Sequence, residues 1–222
     1  MKACLTQFAL LLAVLFAGLA SPAQAADDEF EFWIKPKAVI KLDGDTFLRI
    51  ETAAKLREPS KKGDDTYYVD AWVVQKVSDK VSIAAGVERR FEIDARDEFR
   101  VQQAVVVEDG ALRASVRVEE RFLEDTHGRM GIRVRPRVGV AFDLDDHHKW
   151  QLEAHAEAFV TVRAAKEHAD TGLTGIRTEI GVTHKVTDNL YVSLDYVRDQ
   201  YIFDGYPDRV GHAPQIGMKF KF

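Results

Sequence analysis

Cysteine is all but missing: Cys4 is the single thiol in 222 residues. It precedes an apolar run over residues 8–20, which Lys2 introduces and Ser21-Pro22-Ala23-Gln24-Ala25 closes. A cationic start, an apolar stretch of that length and an Ala-x-Ala ending predict a secretory signal peptide over residues 1–25, cut after Ala25. Cys4 leaves with it and is not placed as a lipid acceptor. The mature chain, residues 26–222, then has no thiol, although an exported protein meets conditions that permit disulfides. No apolar run reaches the roughly 20 residues of a membrane helix, so a membrane crossing would have to be made by strands. A large excess of one charge is also missing. The chain has 31 basic and 36 acidic residues, a formal net charge of −5 and no basic tail, which argues against a nucleic-acid partner. There is no glycine-rich phosphate loop, zinc signature or dinucleotide fingerprint, and so no expected cofactor. Linkers, low-complexity tracts and exact internal repeats are absent as well, which leaves one domain over residues 26–222.

What is present is alternation. In residues 111–123, Leu112, Ala114, Val116, Val118 and Phe122 occupy even positions, against Arg113, Ser115, Arg117, Glu119 and Arg121 at odd ones. Glu120 is the one clear breach. Residues 130–144 repeat the pattern, with Met130, Ile132, Val134, Pro136, Val138, Val140, Phe142 and Leu144 opposing Arg133, Arg135 and Arg137. A period of two makes an extended strand with one apolar and one charged face, whereas a helix would mix the two sets. These strands exceed the usual soluble length of about 5–6 residues. Long two-faced strands suit a barrel that meets hydrocarbon outside and encloses a polar lumen.

The rest of the chain reads the same way. Phe30, Phe32, Ile34, Ala38, Ile40 and Leu42 alternate up to the turn Asp43-Gly44-Asp45, and Leu48 to Leu56 follow. Further alternating stretches cover residues 67–77, 81–93, 99–108, 150–163, 176–186 and 190–199. Connections at Asp43, Ser78, Asp109, Asp145 and Thr187 are short, with Asp109-Gly110 the tightest hairpin. Those at Glu58, Asp94, Glu124, Ala164 and Phe203 are mostly longer, the last running to about Pro214. Short turns alternating with long loops is the asymmetry of outer-membrane barrels. Phe91, Phe99 and Phe122 lie toward long loops, and Phe142 and Trp150 toward a short turn, as two interfacial girdles would.

Alternation does not by itself say which face is inside, because a secreted lipocalin-like barrel would invert it. Three features favour apolar-out. The face of Ala154, Ala156 and Ala158 is too thin to fill a core, and the loop asymmetry fits a membrane. The chain also ends on Ile216, Met218, Phe220 and Phe222, which resembles the terminal aromatic signal read by the outer-membrane assembly machinery. The expected partners are therefore outer-membrane lipid and that machinery.

Glu88, Arg90, Glu92, Arg113, Arg117, Glu119, Arg121, Arg133, Arg135, Arg137, Glu153, His155, Glu157, Arg177 and Glu179 would then share the lumen. So many guanidinium groups need carboxylates, and cross-strand pairs would fill and stiffen a narrow barrel. Three other uses remain open. The arginine stripe could attract anions into a small channel. Glu153-x-His155-x-Glu157 puts three potential metal ligands on one face, although arginine-rich neighbours favour an ion-paired histidine. A lipid-modifying hydrolase would need a serine and its base about 3 Å apart. Ser193 and Asp195 lie two strands from His155, roughly 10 Å away, and His184 is on the lipid-side phase with no serine nearby.

The run V-E-R-R-F-E at 87–92, the hairpin V-E-D-G-A-L-R-A-S-V-R-V-E-E-R-F at 107–122 and the R-x-R-x-R of Arg133, Arg135 and Arg137 resemble the bacterial family called domain of unknown function 2490. The resemblance implies an outer-membrane barrel with early Trp-containing strands and Arg/Glu-rich central hairpins. It brings no activity or substrate. The expected fold is all-β, a transmembrane antiparallel barrel of about 10–12 strands. Eleven would leave the amino terminus outside, and bacterial barrels usually have even numbers. The preferred form therefore has about ten closing strands, with residues 27–42 as an extra segment or split to make twelve. The expected role is structural, binding or minor transport.

Overall fold

The computed structural model describes residues 27–57, 65–93, 97–124, 126 and 128–222. The signal peptide expected over residues 1–25 and parts of three long connections lie outside them. The described residues form eleven strands: β1 (Asp27–Lys41), β2 (Thr46–Arg57), β3 (Thr66–Lys76), β4 (Val81–Glu92), β5 (Glu98–Asp109), β6 (Leu112–Leu123), β7 (Met130–Asp143), β8 (Trp150–Arg163), β9 (Gly172–Lys185), β10 (Leu190–Tyr201) and β11 (Arg209–Lys221). Each pairs antiparallel with its neighbour in sequence, and β1 closes the barrel against β11. That last seam is parallel, running from Asp27 beside Arg209 to Val39 beside Lys221.

The parallel seam corrects the expectation of an even strand number. Residues 27–41 are neither an extra segment nor two strands. They form one full strand, and an odd count closes because the first and last strands run the same way. An odd count is not unknown in barrels. The last strand is also longer than its sequence suggests. It begins at Arg209, so the connection after β10 covers only residues 202–208 and Pro214 lies within β11, opposite Tyr196.

The turns after β1, β3, β5, β7 and β9 share one rim, the turn side, with the carboxyl terminus. The longer connections and the start of β1 share the other, the loop side. Side chains shape the turns. Asp43 accepts N–H bonds from Asp45 at 2.9 Å and Thr46 at 2.8 Å, and these hold its carboxyl below the usual range. Asp145 accepts from the N–H of Trp150 at 2.7 Å and of Lys149 at 2.9 Å, with the same consequence.

The faces point as the thin alanine stripe and terminal aromatics suggest. Val116 is 49% exposed and Val138 44% exposed, while Glu119 is 0% exposed. The arginine face is the inner one. Aromatics edge the apolar belt at both ends, with Tyr67, Phe91 and Phe99 toward the loops and Trp150, Phe220 and Phe222 toward the turns. Two of the inward aromatics, Trp72 and Phe159, sit where a facing glycine makes room. A Cβ on Gly86 would lie 2.6 Å from the Trp72 ring, and one on Gly175 would lie 2.7 Å from Phe159. The β8–β9 register shifts between Phe159 and Val160, where Thr174 is the extra residue of a bulge that bends β9 beside this ring.

Candidate functional site: the charged lumen

About eight strands make a barrel that side chains just fill, and 16–18 leave a channel. Eleven need long side chains to close the gap, and arginines supply them. Glu119, on β6, receives Arg133 at 2.5 Å and Arg135 at 2.7 Å, both from β7. Arg135 continues to Glu157 on β8 at 2.5 Å. On the other flank Arg117 donates to the Gln102 carbonyl at 3.3 Å, and the Gln102 amide donates to Glu88 at 3.3 Å. Glu88 holds Arg100 at 3.0 Å and Arg90 at 3.1 Å. Arg100 also bonds Glu98 at 2.5 Å, which in turn takes Arg121 at 2.5 Å. Charge-assisted bonds, each stronger than a neutral one, thus span β6 to β8 and β4 to β6, and the two sets meet where Arg117 lies 3.7 Å from Glu119.

A second group sits toward the loop side around the closing seam. Glu31 accepts from Arg57 at 2.8 Å and from the Trp33 indole at 2.5 Å. Arg177 pairs with Asp199. The aromatics join the two groups through cation–π contacts. Arg177 lies 5.0 Å from the Trp33 ring and 5.2 Å from Phe159, while Arg135 lies 4.6 Å from Phe159. Lys55 sits 3.6 Å over Trp33.

Burial is uneven along the axis. Glu29, Glu31, Thr66, Glu98 and Thr161, which face inward on the loop side, are buried. On the turn side, Phe47, Val74, Arg113 and Tyr191 are half-buried, and Lys76, Glu108 and Glu153 are exposed. The lumen is therefore the more exposed at its turn side. A cavity of about 260 Å³ reaches in from mid-barrel, and one of about 430 Å³ adjoins it toward the turns.

Most of the sequence-derived lumen residues converge here, with exceptions. Arg113 stands at the β5–β6 turn, beside Glu108 at 3.4 Å and bonded to the Gly110 carbonyl at 2.7 Å. It takes no part in these lumen bonds. Glu92 lies at the loop-side end of β4, opposite Thr66. Sequence reasoning did not single out Glu98, Arg100 and Gln102 on β5, Asp199, or the Lys35, Lys37 and Glu51 cluster. Their odd or even phase was the available signal, weakened on β5 by the Gln102-Gln103 doublet.

The other chemistries are spread apart. His155 lies between a donating Arg137 at 2.7 Å on Nδ1 and Glu179 at 3.3 Å from Nε2, which suits a neutral ring with its proton on Nε2. Glu157 is held by Arg135, and Glu153 is exposed. Among the described residues no His/Cys/Asp/Glu group is placed to hold a metal ion. Ser193 donates to Asp195 at 2.8 Å on its own strand. His184 stacks on Trp150 at 4.0 Å in the turn-side girdle. On the outer surface toward the loops, the Tyr196 hydroxyl meets His212 Nδ1 at 2.5 Å, and Asp28 lies 3.7 Å from its Nε2. The hydroxyl there is a phenol, and among the described residues no serine is hydrogen-bonded to a histidine.

A family described as "Protein of unknown function (DUF2490)" matches residues 30–210, from β1 to the start of β11. The chain belongs to that family. No curated protein matches the chain. A solved structure described as "KdgM porin" is similar to this DUF2490 barrel at 13% identity, with a TM-score of 0.47, over 76% of this chain and 91% of that one.

Proposed function

We propose that this protein is a barrel of the bacterial outer membrane whose lumen is occluded by its own ion pairs. In this reading it is a membrane-embedded scaffold with a water-filled vestibule on the turn side, and it is not an open pore. The signal sequence would export it, the Ile216–Met218–Phe220–Phe222 face would present it to the assembly machinery, and the outward apolar belt would contact lipid. The turn rim would face the periplasm, as short turns do in such barrels. The observation that carries the reading is Glu119, fully buried at mid-lumen and spanned to Arg133 and Arg135, with Glu157 beyond.

Planar-bilayer recording of the refolded protein tests this directly. Wild type is expected to give no steady conductance, and Arg135→Ala, which cuts the link between Glu119 and Glu157, to give measurable openings. Steady ohmic current through wild type would overturn the occluded reading. Recovery of the mature protein in the soluble periplasmic extract would overturn the location. A small anion-preferring channel is the second reading, favoured by the basic surplus of the vestibule, and the same recordings decide it.

A further inference from the structure

Ten basic and seven acidic side chains line the mid-barrel cavity, a surplus of three. Half of its cations are already matched by carboxylates, and Lys55 sits over the Trp33 ring. Lys35 and Lys37 face Glu51 at 3.5 and 3.9 Å, Arg135 lies between Glu119 and Glu157, Arg177 meets Asp199, and Arg90 meets Glu88. Arg49, Arg117 and Arg137 differ. Arg49 lies 5.0 Å from the Trp72 ring, and its Nε is buried with no hydrogen-bond partner. Arg117 lies 5.4 Å from the same ring. Its nearest carboxylate, Glu119 at 3.7 Å, is already engaged by two closer arginines. Arg137 donates to His155, an uncharged acceptor when the ring is neutral. All three line both cavities and so stand where the deep pocket meets the vestibule.

A buried guanidinium N–H without an acceptor is costly, because water has been removed and nothing has replaced it. Arg49 has one such group, while Arg117 and Arg137 have only neutral hydrogen-bond partners, Gln102 and His155; around one space the three present planar forks of the shape that carboxylate and phosphoryl oxygens fill. Trp72 gives Arg49 and Arg117 a flat floor, and Gly86 leaves room for its ring. We propose that Arg49, Arg117 and Arg137 form a binding site for an oxyanion, a phosphoryl or carboxylate group of a small solute entering from the turn side. Lys37 and Lys219, also in the cavity lining, raise the local anion concentration at its entrance. The direction of entry rests on the occluded-lumen reading, whereas the affinity does not.

The test is isothermal titration of the folded full barrel in neutral detergent micelles, with pyrophosphate in one arm and citrate in the other. Saturable one-to-one binding of at least one is expected, weakening as salt rises. Arg49→Gln, Arg117→Gln and Arg137→Gln should each weaken it about tenfold or more. Arg137→Lys, which keeps charge but loses the fork, should fall between wild type and Arg137→Gln. Arg163→Gln at the loop rim should bind as wild type. Heat-dependent mobility on gels identifies variants that fold, and the lysine variant serves if a glutamine variant does not. No saturable binding of either anion, or binding that the folded variants leave unchanged, overturns the proposal. The arm that binds tells phosphoryl from carboxylate preference. A conducting wild type would sink the occluded reading alone, and a silent barrel that binds neither anion would sink this one alone.

Discussion

Glu119 is the residue on which the mid-lumen charges converge. Its carboxylate is out of contact with water and is the shared acceptor of Arg133 and Arg135. Replacing it by glutamine keeps the shape and leaves two guanidinium groups facing a neutral amide. Breaking a buried pair from one side costs about 3–5 kcal/mol, since the surviving charge stays buried without its counterion. Urea unfolding of Glu119→Gln in micelles should show a loss of that size. Arg113→Gln, whose pair with Glu108 at the turn is solvated at 37% and 62% side-chain exposure, should change stability by no more than about 1 kcal/mol. Equal effects would mean the lumen pairs are as solvated as the rim. Phase in the sequence identifies which residues face inward, and Glu119 and the arginines of β7 are legible that way. What local pattern does not carry is who meets whom. Trp33 on β1 and Arg177 on β9 are 144 positions apart in the chain, and they meet because the barrel closes between them.

At the scale of elements, turn chemistry and alternation make most strands readable, and the failures cluster at the seam. Residues 209–215 look like loop because Gly211 and Pro214 break the apolar rhythm. They are nevertheless strand, held on one side by β10 and on the other by β1. A parallel partner leaves no hairpin signature either, so residues 27–41 could not be matched to residues 209–221 in advance. The seam ends on the last residue of the chain, where the Phe222 N–H donates to the Val39 carbonyl and the Lys41 N–H to the Phe222 carbonyl, both at 2.9 Å. Removing Phe222 therefore takes away two closing bonds as well as an exposed girdle ring. Folding yield into lipid vesicles, read by gel mobility, is expected to fall on truncation, and the amount reaching the outer membrane in cells to fall with it. Unimpaired folding in vesicles with failed assembly in cells would assign Phe222 to recognition alone.

For the whole molecule, the deciding question is what solvent the outer face meets. The belt that includes Val105, Val116 and Val138 is broadly exposed, which is a liability in water and natural in hydrocarbon. The two environments predict opposite responses to a charge placed there. Val116 lies near the middle of β6, outward, beside Val105 and Pro136. An arginine at mid-bilayer on a barrel's lipid face costs about 2–4 kcal/mol, falling toward zero near the interfaces. Val116→Arg should therefore lower unfolding stability in lipid vesicles by about that amount. The same substitution at Leu144, exposed beside a turn-side connection, should cost about 0–1 kcal/mol. In water the Val116 change would break up an apolar patch and leave stability near wild type or improve solubility. A depth-dependent penalty in vesicles supports the membrane-spanning barrel. A flat response at both positions would remove the lipid from the account and, with it, the reason for turning every arginine of β7 toward the axis.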